Sequence, residues 1–299
     1  MDITKEFKSK VAEALLRDRD NFEGSDAQYS KRWGINQAVF SRIKSGETEA
    51  LLKDAQWLNI GRELNVTMSE RQWKPARTDV FTQIEEEIIF CKENSKAMIF
   101  VDSCEIGKTF TARYLSRTLR NCFYLDASQC KTKTQFIRSM ARTLGIDPNG
   151  RVADVKEMVK YYIRTISNPL IVVDEAGDLE YAAMLELKEL WNATENACGW
   201  YMIGADGLRS KIEKGIRDHK VGYRELFSRY SGKFSHIVPV DKQAKLAFYR
   251  KLITDVLSVN MPNGGAIPNI VKRCLTTDEG GNIGGLRRAE SLLILTHEA

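Results

Sequence analysis

The sequence predicts an α/β fold in which a parallel sheet is flanked by helices, with a helical unit before it and an all-helical region after it. Three observations support this prediction. Four short apolar runs alternate with helix-length amphipathic segments. The tripeptide Gly107-Lys108-Thr109 comes shortly after the first run, and two carboxylates, Asp174 and Glu175, end the third. Apolar runs that alternate with helices are typical of a parallel sheet with helices on both faces.

Composition restricts the class of protein. The chain has 299 residues, 43% of them hydrophobic, and a net charge of +5, which permits a nucleic-acid partner without requiring one. Its six cysteines include no C-x-x-C pair. This spacing argues against a zinc site or a disulfide framework and fits a reducing cytoplasm. No segment approaches the ~18 uninterrupted apolar residues of a membrane span, so we expect no membrane partner.

The first element is a pair of short helices in residues 27–44, which read AQYSKRWGINQAVFSRIK. Apolar side chains recur at helical spacing, and Gly34 falls where a tight turn between helices belongs. This pattern predicts a helix-turn-helix with Asn36–Lys44 as its recognition helix, and Leu51–Leu64 as a further helix that completes the core. The outward-facing side chains are of types that contact bases and phosphates: Asn36, Gln37, Ser41, Arg42 and Lys44.

The alternative interpretation of this segment is a small helical bundle that binds protein or caps the domain after it. Its charges are nearly balanced, so DNA binding by this unit alone is expected to be weak and sensitive to salt. We place this domain at 1–62, a polar linker at 63–79, the α/β core at 80–240 and a helical C-terminal lid at 241–299.

The predicted strands are four short apolar runs, with amphipathic segments such as Thr109–Leu119 and Thr134–Leu144 between them. They are Met98–Val101, Cys122–Leu125, Leu170–Val173 and Trp200–Ile203. After about Asp241 the pattern is helical only, with a break at MPNGGAIP (261–268).

The stretch VDSCEIGKTF (101–110) resembles a phosphate-binding loop, whose pattern is Gly, four residues, then Gly-Lys-Ser/Thr. A strand precedes it and a helix follows it, so backbone N–H groups at the helix N-terminus would meet phosphates. Lys108 would reach the β- and γ-phosphates of ATP, and the Thr109 hydroxyl would hold Mg²⁺. The predicted nucleotide-binding residues of the loop are Cys104, Glu105, Ile106, Gly107, Lys108, Thr109 and Phe110.

Asp102 departs from the pattern, because it stands where the first Gly belongs. A Gly there lets the chain turn tightly, and Asp102 must make that turn with a side chain present. Its carboxylate either reshapes the start of the loop or places a negative charge near the phosphates and slows hydrolysis.

The third run, LIVVDEAGD (170–178), ends in Asp174 and Glu175 at the carboxyl edge of the predicted sheet, where ligands of open α/β sheets bind. We expect Asp174 to complete the Mg²⁺ shell and Glu175 to polarise the attacking water. The alternative is a strand that ends in a solvated acidic turn.

Three later features resemble parts of AAA+ ATPases. Asp206 follows the fourth run, at the position of the polar sensor residue, although a structural turn explains it equally well. Arg229, or failing that Arg224, resembles the arginine that stabilises charge on the transferring phosphoryl group of a neighbouring subunit; the alternative is an exposed basic face. In GNIGGLRRAESLL (281–293), Arg287 resembles the second sensor that folds over the γ-phosphate, and Arg288 faces solvent or DNA.

A helix-turn-helix followed by a compact AAA+ domain resembles the MuB family of phage transposition ATPases, and more distantly the IstB- and TnsC-type ATPases. The resemblance covers most of the chain and is carried by the N-terminal unit, the GKT loop, VVDEAGDL and MIGADGLRSKI. The chain departs from the family at Asp102 and at the strand-end sensor.

The resemblance implies an ATP-dependent protein of the bacterial host cytoplasm that assembles as a helical homo-oligomer on double-stranded DNA. Such a protein selects target DNA with little base preference and activates a transposase, and ATP hydrolysis drives disassembly. The stretches best suited to DNA are SQCKTKTQF (128–136) and RSKIEKGIRDHK (209–220), with Lys131, Thr132, Lys133, Arg209, Lys211 and Lys214 as candidate contacts; the alternative is solvated surface. Trp73 or Thr78 would lie near adenine.

Two other functions fit the same residues. One is an AAA+ replication initiator or helicase loader, which shares the ATP site. The other is a DNA-binding regulator whose nucleotide site acts as a switch with negligible hydrolysis.

Overall fold

The computed structural model describes residues 3–64, 66, 68, 73–261, 264–277 and 283–297. Four helices come first: α1 (Lys5–Asp20), α2 (Asp26–Arg32), α3 (Gln37–Lys44) and α4 (Asp54–Glu63). Helices α2 and α3 are joined by a four-residue turn in which Gly34 has a φ of 63°, a conformation that glycine adopts without strain. Asn36 precedes α3 and caps it, since its side chain accepts a hydrogen bond from the Ala38 N–H.

The central part alternates helices and strands, as the sequence predicts. Its elements are α5 (Asp79–Asn94), β1 (Ala97–Val101), α6 (Lys108–Thr118), β2 (Cys122–Asp126), α7 (Lys133–Leu144), α8 (Val152–Thr165), β3 (Leu170–Asp174), α9 (Tyr181–Ala193), β4 (Gly199–Gly204), α10 (Asp206–Arg217), α11 (Tyr223–Arg229) and β5 (Phe234–Ser235). Short 3-10 turns follow β2 at Ala127–Gln129 and β3 at Ala176–Asp178.

All five strands run parallel in the order β2-β3-β4-β1-β5. The four predicted strands are confirmed. The fifth was not predicted, because its two residues pair only with Ile99 and Phe100 of β1 and are too short to show a periodicity. Strands β3 and β4 are completely buried, which explains why they read as continuous apolar runs.

The C-terminal part consists of α12 (Lys242–Asn260), a 3-10 turn at Gly264–Ala266, α13 (Ile267–Cys274) and α14 (Leu286–His297). The helical pattern predicted after Asp241 is confirmed for the described residues, with one addition: Thr277 and Ile283 form an isolated antiparallel bridge. The predicted break at 261–268 and the segment 281–293 each include residues outside the described part of the chain, Pro262 and Asn263 in the first and Gly281 and Asn282 in the second. No described helix has both the length and the apolarity to span a bilayer.

The N-terminal helices pack directly against the α/β core. Buried side chains of both parts, such as Phe22 and Phe136, belong to one continuous hydrophobic cluster. Hydrogen bonds reinforce this contact: the Asn121 N–H donates to the Asn21 carbonyl (3.3 Å) and the Ser167 N–H to the Glu23 carboxylate (3.2 Å). The N-terminal unit is therefore docked by its own side chains, whatever the segment 63–79 contributes. Part of that segment lies outside the described residues.

Candidate nucleotide-binding site

A tight loop joins β1 to α6 at the carboxyl edge of the sheet. Two of its residues have positive φ, Glu105 at 63° and Gly107 at 96°. Gly107 immediately precedes α6, so the first turn of that helix begins with Lys108 and Thr109. Within the loop Ile106 is buried, Cys104 is exposed, and Phe110 is 42% exposed on the first turn of α6. This geometry directs the backbone N–H groups at the α6 N-terminus toward the concave side of the loop, as phosphate binding requires.

The Lys108 ammonium folds back into this loop. Its Nζ donates to the carbonyl oxygens of Asp102 (2.7 Å) and Ser103 (2.6 Å). Burial lowers the pKa of Lys108, and the neighbouring acidic groups, Asp102 and Asp174 among them, oppose that shift. A lysine held at the mouth of the loop in this way is positioned to pair with phosphate oxygens.

Asp102 does not place its charge in the loop. Its side chain is 7% exposed, and Oδ2 accepts hydrogen bonds from the backbone N–H groups of Ile237 (2.6 Å) and Val238 (2.9 Å). The other oxygen, Oδ1, accepts from the Ser103 N–H (2.7 Å). Of the two effects considered for this residue, the structure shows the first: the carboxylate reshapes the start of the loop by binding three backbone amides.

Asp174 ends β3 at the same edge of the sheet, with β4 between its strand and β1. Its side chain is 1% exposed; Oδ2 accepts from the Tyr124 hydroxyl (2.8 Å) and Oδ1 from the Glu175 N–H (2.9 Å). The Arg113 guanidinium lies 5.2 Å from the centre of the Tyr124 ring and 3.6 Å from the Asp126 carboxylate. Sequence reasoning missed Tyr124. The only signal was a polar hydroxyl inside the apolar strand CFYLD.

Glu175 follows Asp174 in the left-handed conformation, with a φ of 50°, and its side chain points to solvent. Partial desolvation, and next the charge of Asp174, raise the pKa of Glu175 above its ordinary value. A carboxylate with a raised pKa is a better proton acceptor, so the position suits a general base. The alternative of a plain acidic turn does not account for a buried Asp174 that is held from two sides.

The residues at this edge fit Mg²⁺. Within the described residues the Thr109 hydroxyl makes no hydrogen bond, and the Asp174 carboxylate keeps acceptor capacity beyond its two donors. Oxygen ligands in small number, supplemented by phosphate and water, are what Mg²⁺ takes in such sites. No group of three or more metal-ligating His, Cys, Asp or Glu side chains occurs in the described part of the chain. The donors present are thus too few for an all-protein metal site.

A cavity of about 60 Å³ adjoins the phosphate loop, between α5, α6 and the lid. Trp73 and Thr78, which the resemblance places near adenine, line it together with Gly107, Phe110 and Val256. Trp73 also donates from Nε1 to Glu290 of α14 (2.7 Å), and Thr78 caps α5 by accepting from the Phe81 N–H (3.1 Å). The structure therefore brings both residues to the nucleotide side of the loop.

The lid reaches the phosphate loop through the start of α14. The Leu286 N–H donates to the Glu105 carbonyl (2.9 Å), and Arg287 approaches the Glu105 carboxylate at 3.8 Å while remaining 81% exposed. Arg288 turns away and donates to the Thr276 carbonyl (3.1 Å). Of the two arginines, Arg287 is the one at the loop, in agreement with the position expected of a second sensor.

Arg229 lies at the opposite edge of the sheet from the phosphate loop. Its guanidinium stacks on Trp191 at 5.5 Å and donates to Asn192, close to the start of β1. It cannot reach the loop of its own chain, so its predicted role requires a neighbouring subunit and stays a prediction. Arg224, the second choice, is exposed on α11.

The two stretches predicted to touch DNA lie side by side, and the loop after β3 joins them. Lys131 pairs with Asp178 in that loop (2.8 Å), and Lys211 of α10 donates to the carbonyls of Gly177 and Leu179 (2.9 Å for Leu179). Thr132 caps α7, and Lys133 pairs with Glu186.

The remaining two cations on α10 differ in their surroundings. Arg209 stacks on Phe234 at 5.4 Å and donates weakly to the Val101 carbonyl (3.5 Å). Lys214 is exposed and has no ion pair among the residues that the structure describes.

On α3, the predicted recognition helix, Asn36, Gln37, Arg42 and Lys44 are exposed. Arg42 pairs with Glu47 (2.6 Å) and Lys44 with Asp26 (2.8 Å), so both cations are partly neutralised. DNA binding by this helix stays a prediction.

The comparison with protein families identifies the central domain. Residues 103–212, from the phosphate loop through β2, β3 and β4 to α10, match the model of the family described as "AAA domain". This chain carries an AAA domain. The match covers the loop residues Lys108 and Thr109 and the acidic pair Asp174 and Glu175, and it leaves the N-terminal helices and the lid unassigned. No curated protein matches the chain.

Proposed function

We propose that the protein is an ATP-dependent DNA-binding ATPase of transposition, which assembles on duplex DNA, delivers that DNA to a transposase and disassembles after ATP hydrolysis. The observation that carries the proposal is the AAA domain whose sheet edge presents Lys108, Thr109, Asp174 and Glu175 together. The transposition role rests on the resemblance of the whole chain to the MuB family.

The site supports nucleotide hydrolysis by positioning and electrostatics. Lys108 and the amides at the start of α6 would neutralise and hold the phosphates. Mg²⁺, held by Thr109 and Asp174, would supply further charge neutralisation at the phosphates. Glu175, with its raised pKa, would accept the proton of the attacking water.

The DNA surface that we favour is the one formed by α10 and the segment after β2, because both follow strands that end at the nucleotide-binding edge. Lys131 and Lys211 are tied to the loop that begins with Glu175, so this surface and the hydrolytic site share a structural element. Contact through exposed cations and hydroxyls gives binding that depends on salt more than on sequence.

Two substitutions test the nucleotide site. We expect Lys108→Ala to abolish binding of a fluorescent ATP analogue. We expect Glu175→Gln to retain binding but to lose hydrolysis, so that DNA-bound assemblies persist in ATP. A Glu175→Gln variant that hydrolyses ATP at the wild-type rate would remove Glu175 from its assigned role.

Negative-stain microscopy tests the assembly. With saturating ATP, Mg²⁺ and linear duplex DNA of arbitrary sequence, we expect long helical filaments in the wild type and none in Lys108→Ala. Discrete rings on DNA would favour an initiator or helicase loader instead. ATP binding without hydrolysis or filaments would favour an ATP-switched regulator.

A further inference from the structure

The phosphate loop is tied to the helical lid at two points, and an acidic side chain of the loop makes each tie. The first is Asp102, which accepts from the N–H groups of Ile237 and Val238. These two residues lie between β5 and α12, in the segment that connects the α/β core to the lid. The carboxylate that replaces a glycine at the start of the loop therefore holds the hinge of the lid.

The second tie is Glu105, at the other end of the loop. Its carbonyl accepts from the Leu286 N–H (2.9 Å), and its carboxylate lies 3.3 Å from the Gly285 N–H and 3.8 Å from Arg287. The approach leaves no room for a side chain at position 285, where a Cβ would lie 2.4 Å from the Glu105 Cβ and 2.7 Å from its carbonyl oxygen. The loop and the first turn of α14 are thus in backbone contact.

Hydrogen bonds from backbone amides to a buried carboxylate are among the stronger ones, because the acceptor is charged. Asp102 has three such bonds and is nearly inaccessible, so movement of the loop start must displace either Ser103 or the hinge amides. Glu105 transmits movement at the other end, since the residues it contacts begin the last helix of the lid.

We propose that Asp102 and Glu105 are positioning residues that couple the phosphate loop to the lid, so that nucleotide held by the loop sets the position of Arg287 and α14. This inference rests on the proposed ATP-binding function. Neither residue acts on the reacting atoms. Both act through the amides of the hinge and of the α14 N-terminus.

The test is amide hydrogen exchange, followed at Ile237 and Val238 in the hinge and at Gly285 and Leu286 in the lid, with and without Mg-ATP. The variants are Asp102→Asn, which keeps the size of the side chain but removes its charge, and Glu105→Gln. The matched control is Asp241→Asn. Asp241 caps α12 at the same hinge by accepting from the Ala244 N–H (2.8 Å), and it has no bond to the loop.

Without nucleotide, we expect Asp102→Asn to speed exchange at the hinge amides by roughly tenfold or more, as loss of a charged hydrogen bond implies, and Asp241→Asn to leave them unchanged. With Mg-ATP, we expect the wild type and the control to slow exchange at Gly285 and Leu286 by about fivefold or more, as a typical coupling energy implies. Both loop variants are expected to bind ATP but to lose this lid response, with kcat lowered more than KM is raised.

Several results would overturn the coupling: an unchanged lid response in both loop variants, or its equal loss in Asp241→Asn. Should Asp102→Asn fail to fold, Glu105→Gln decides the question, because Glu105 lies at the surface of the loop and outside the core. A wild-type chain that does not bind ATP overturns the proposed function, whereas ATP binding without any lid response overturns the coupling alone.

Discussion

Tyr124 controls the orientation of the Asp174 carboxylate at the residue scale. Its hydroxyl donates to Oδ2 from the neighbouring strand, and the nearby Arg113 keeps the ring in place. Burial and the charge of Asp174 raise the pKa of Tyr124, so the hydroxyl stays protonated and remains a donor. Partners of this kind, one step removed from a metal, fix how a ligand is presented.

Replacement of Tyr124 by Phe tests this role. We expect the Mg²⁺ concentration for half-maximal ATP hydrolysis to rise by about tenfold, because the carboxylate loses the donor that orients it. A Mg²⁺ titration of the ATPase rate measures the effect. Tyr161→Phe, on an exposed face of α8, is the control, and an unchanged Mg²⁺ requirement in Tyr124→Phe would contradict the role.

Glu175 predicts a pH-dependent effect on stability. Its pKa is raised in the folded state, so ionisation of Glu175 weakens folding once the pH exceeds the unfolded value and increasingly as it passes through the raised folded value. We therefore expect Glu175→Gln to raise the melting temperature at neutral pH. The gain should vanish below about pH 4, where the carboxyl is protonated in both states. Thermal melts over this pH range measure it, and a gain that grows toward low pH would contradict the raised pKa.

Helix α10 illustrates the element scale, because two of its lysines have different tasks. Lys211 donates to two carbonyls of the loop after β3, whereas Lys214 is exposed and unpaired among the described residues. Burial lowers the pKa of Lys211, as expected of a lysine that serves the structure. Only Lys214 can meet a phosphate without breaking a bond within the protein.

The two lysines are a matched pair for a DNA-binding measurement. We expect Lys214→Ala to weaken duplex binding and to reduce the slope of log affinity against log salt by about 1, the loss of one phosphate contact. We expect Lys211→Ala to lower the melting temperature instead, since it frees two buried carbonyls. Fluorescence anisotropy at several salt concentrations measures the slope, and equal slopes for wild type and Lys214→Ala would exclude this face of α10.

The secondary structure illustrates how far sequence reasoning extends at this scale. Strands β1 to β4 and helices α6 and α7 are predicted to within one or two residues, because buried strands and amphipathic helices have distinct periodicities. Strand β5 is not predicted, since Phe234 and Ser235 are a strand only through their pairing with β1. The pairing of Lys131, Lys133 and Lys211 with the protein itself also has no signal along the chain.

At the scale of the whole molecule, the N-terminal helices and the α/β core share one hydrophobic cluster. Phe40 is fully buried in the N-terminal part, 5.3 Å from the Tyr29 ring, and Tyr29 in turn packs on Phe22 at 5.4 Å. A shared cluster favours cooperative unfolding of the two parts.

Phe40→Ala measures this cooperativity. We expect it to lower the free energy of unfolding by about 3 to 5 kcal/mol, as removal of a buried aromatic ring does, and to move a single denaturation transition. Leu58→Ala, at a residue that is 45% exposed, should change it by about 0.5 kcal/mol or less. Urea unfolding followed by circular dichroism is the measurement; a separate early transition in Phe40→Ala would show that the N-terminal helices unfold on their own.

The sequence by itself determined the α/β architecture, the phosphate loop and the acidic end of β3, because each depends on residues close together in the chain. Tertiary structure alone decided the role of Asp102, since its partners Ile237 and Val238 lie far along the sequence and donate through backbone amides that no sequence pattern marks. It likewise decided that Tyr124 orients Asp174 and that Glu105 meets the lid. Contacts between distant segments are fixed by packing, and local sequence carries no signal for them.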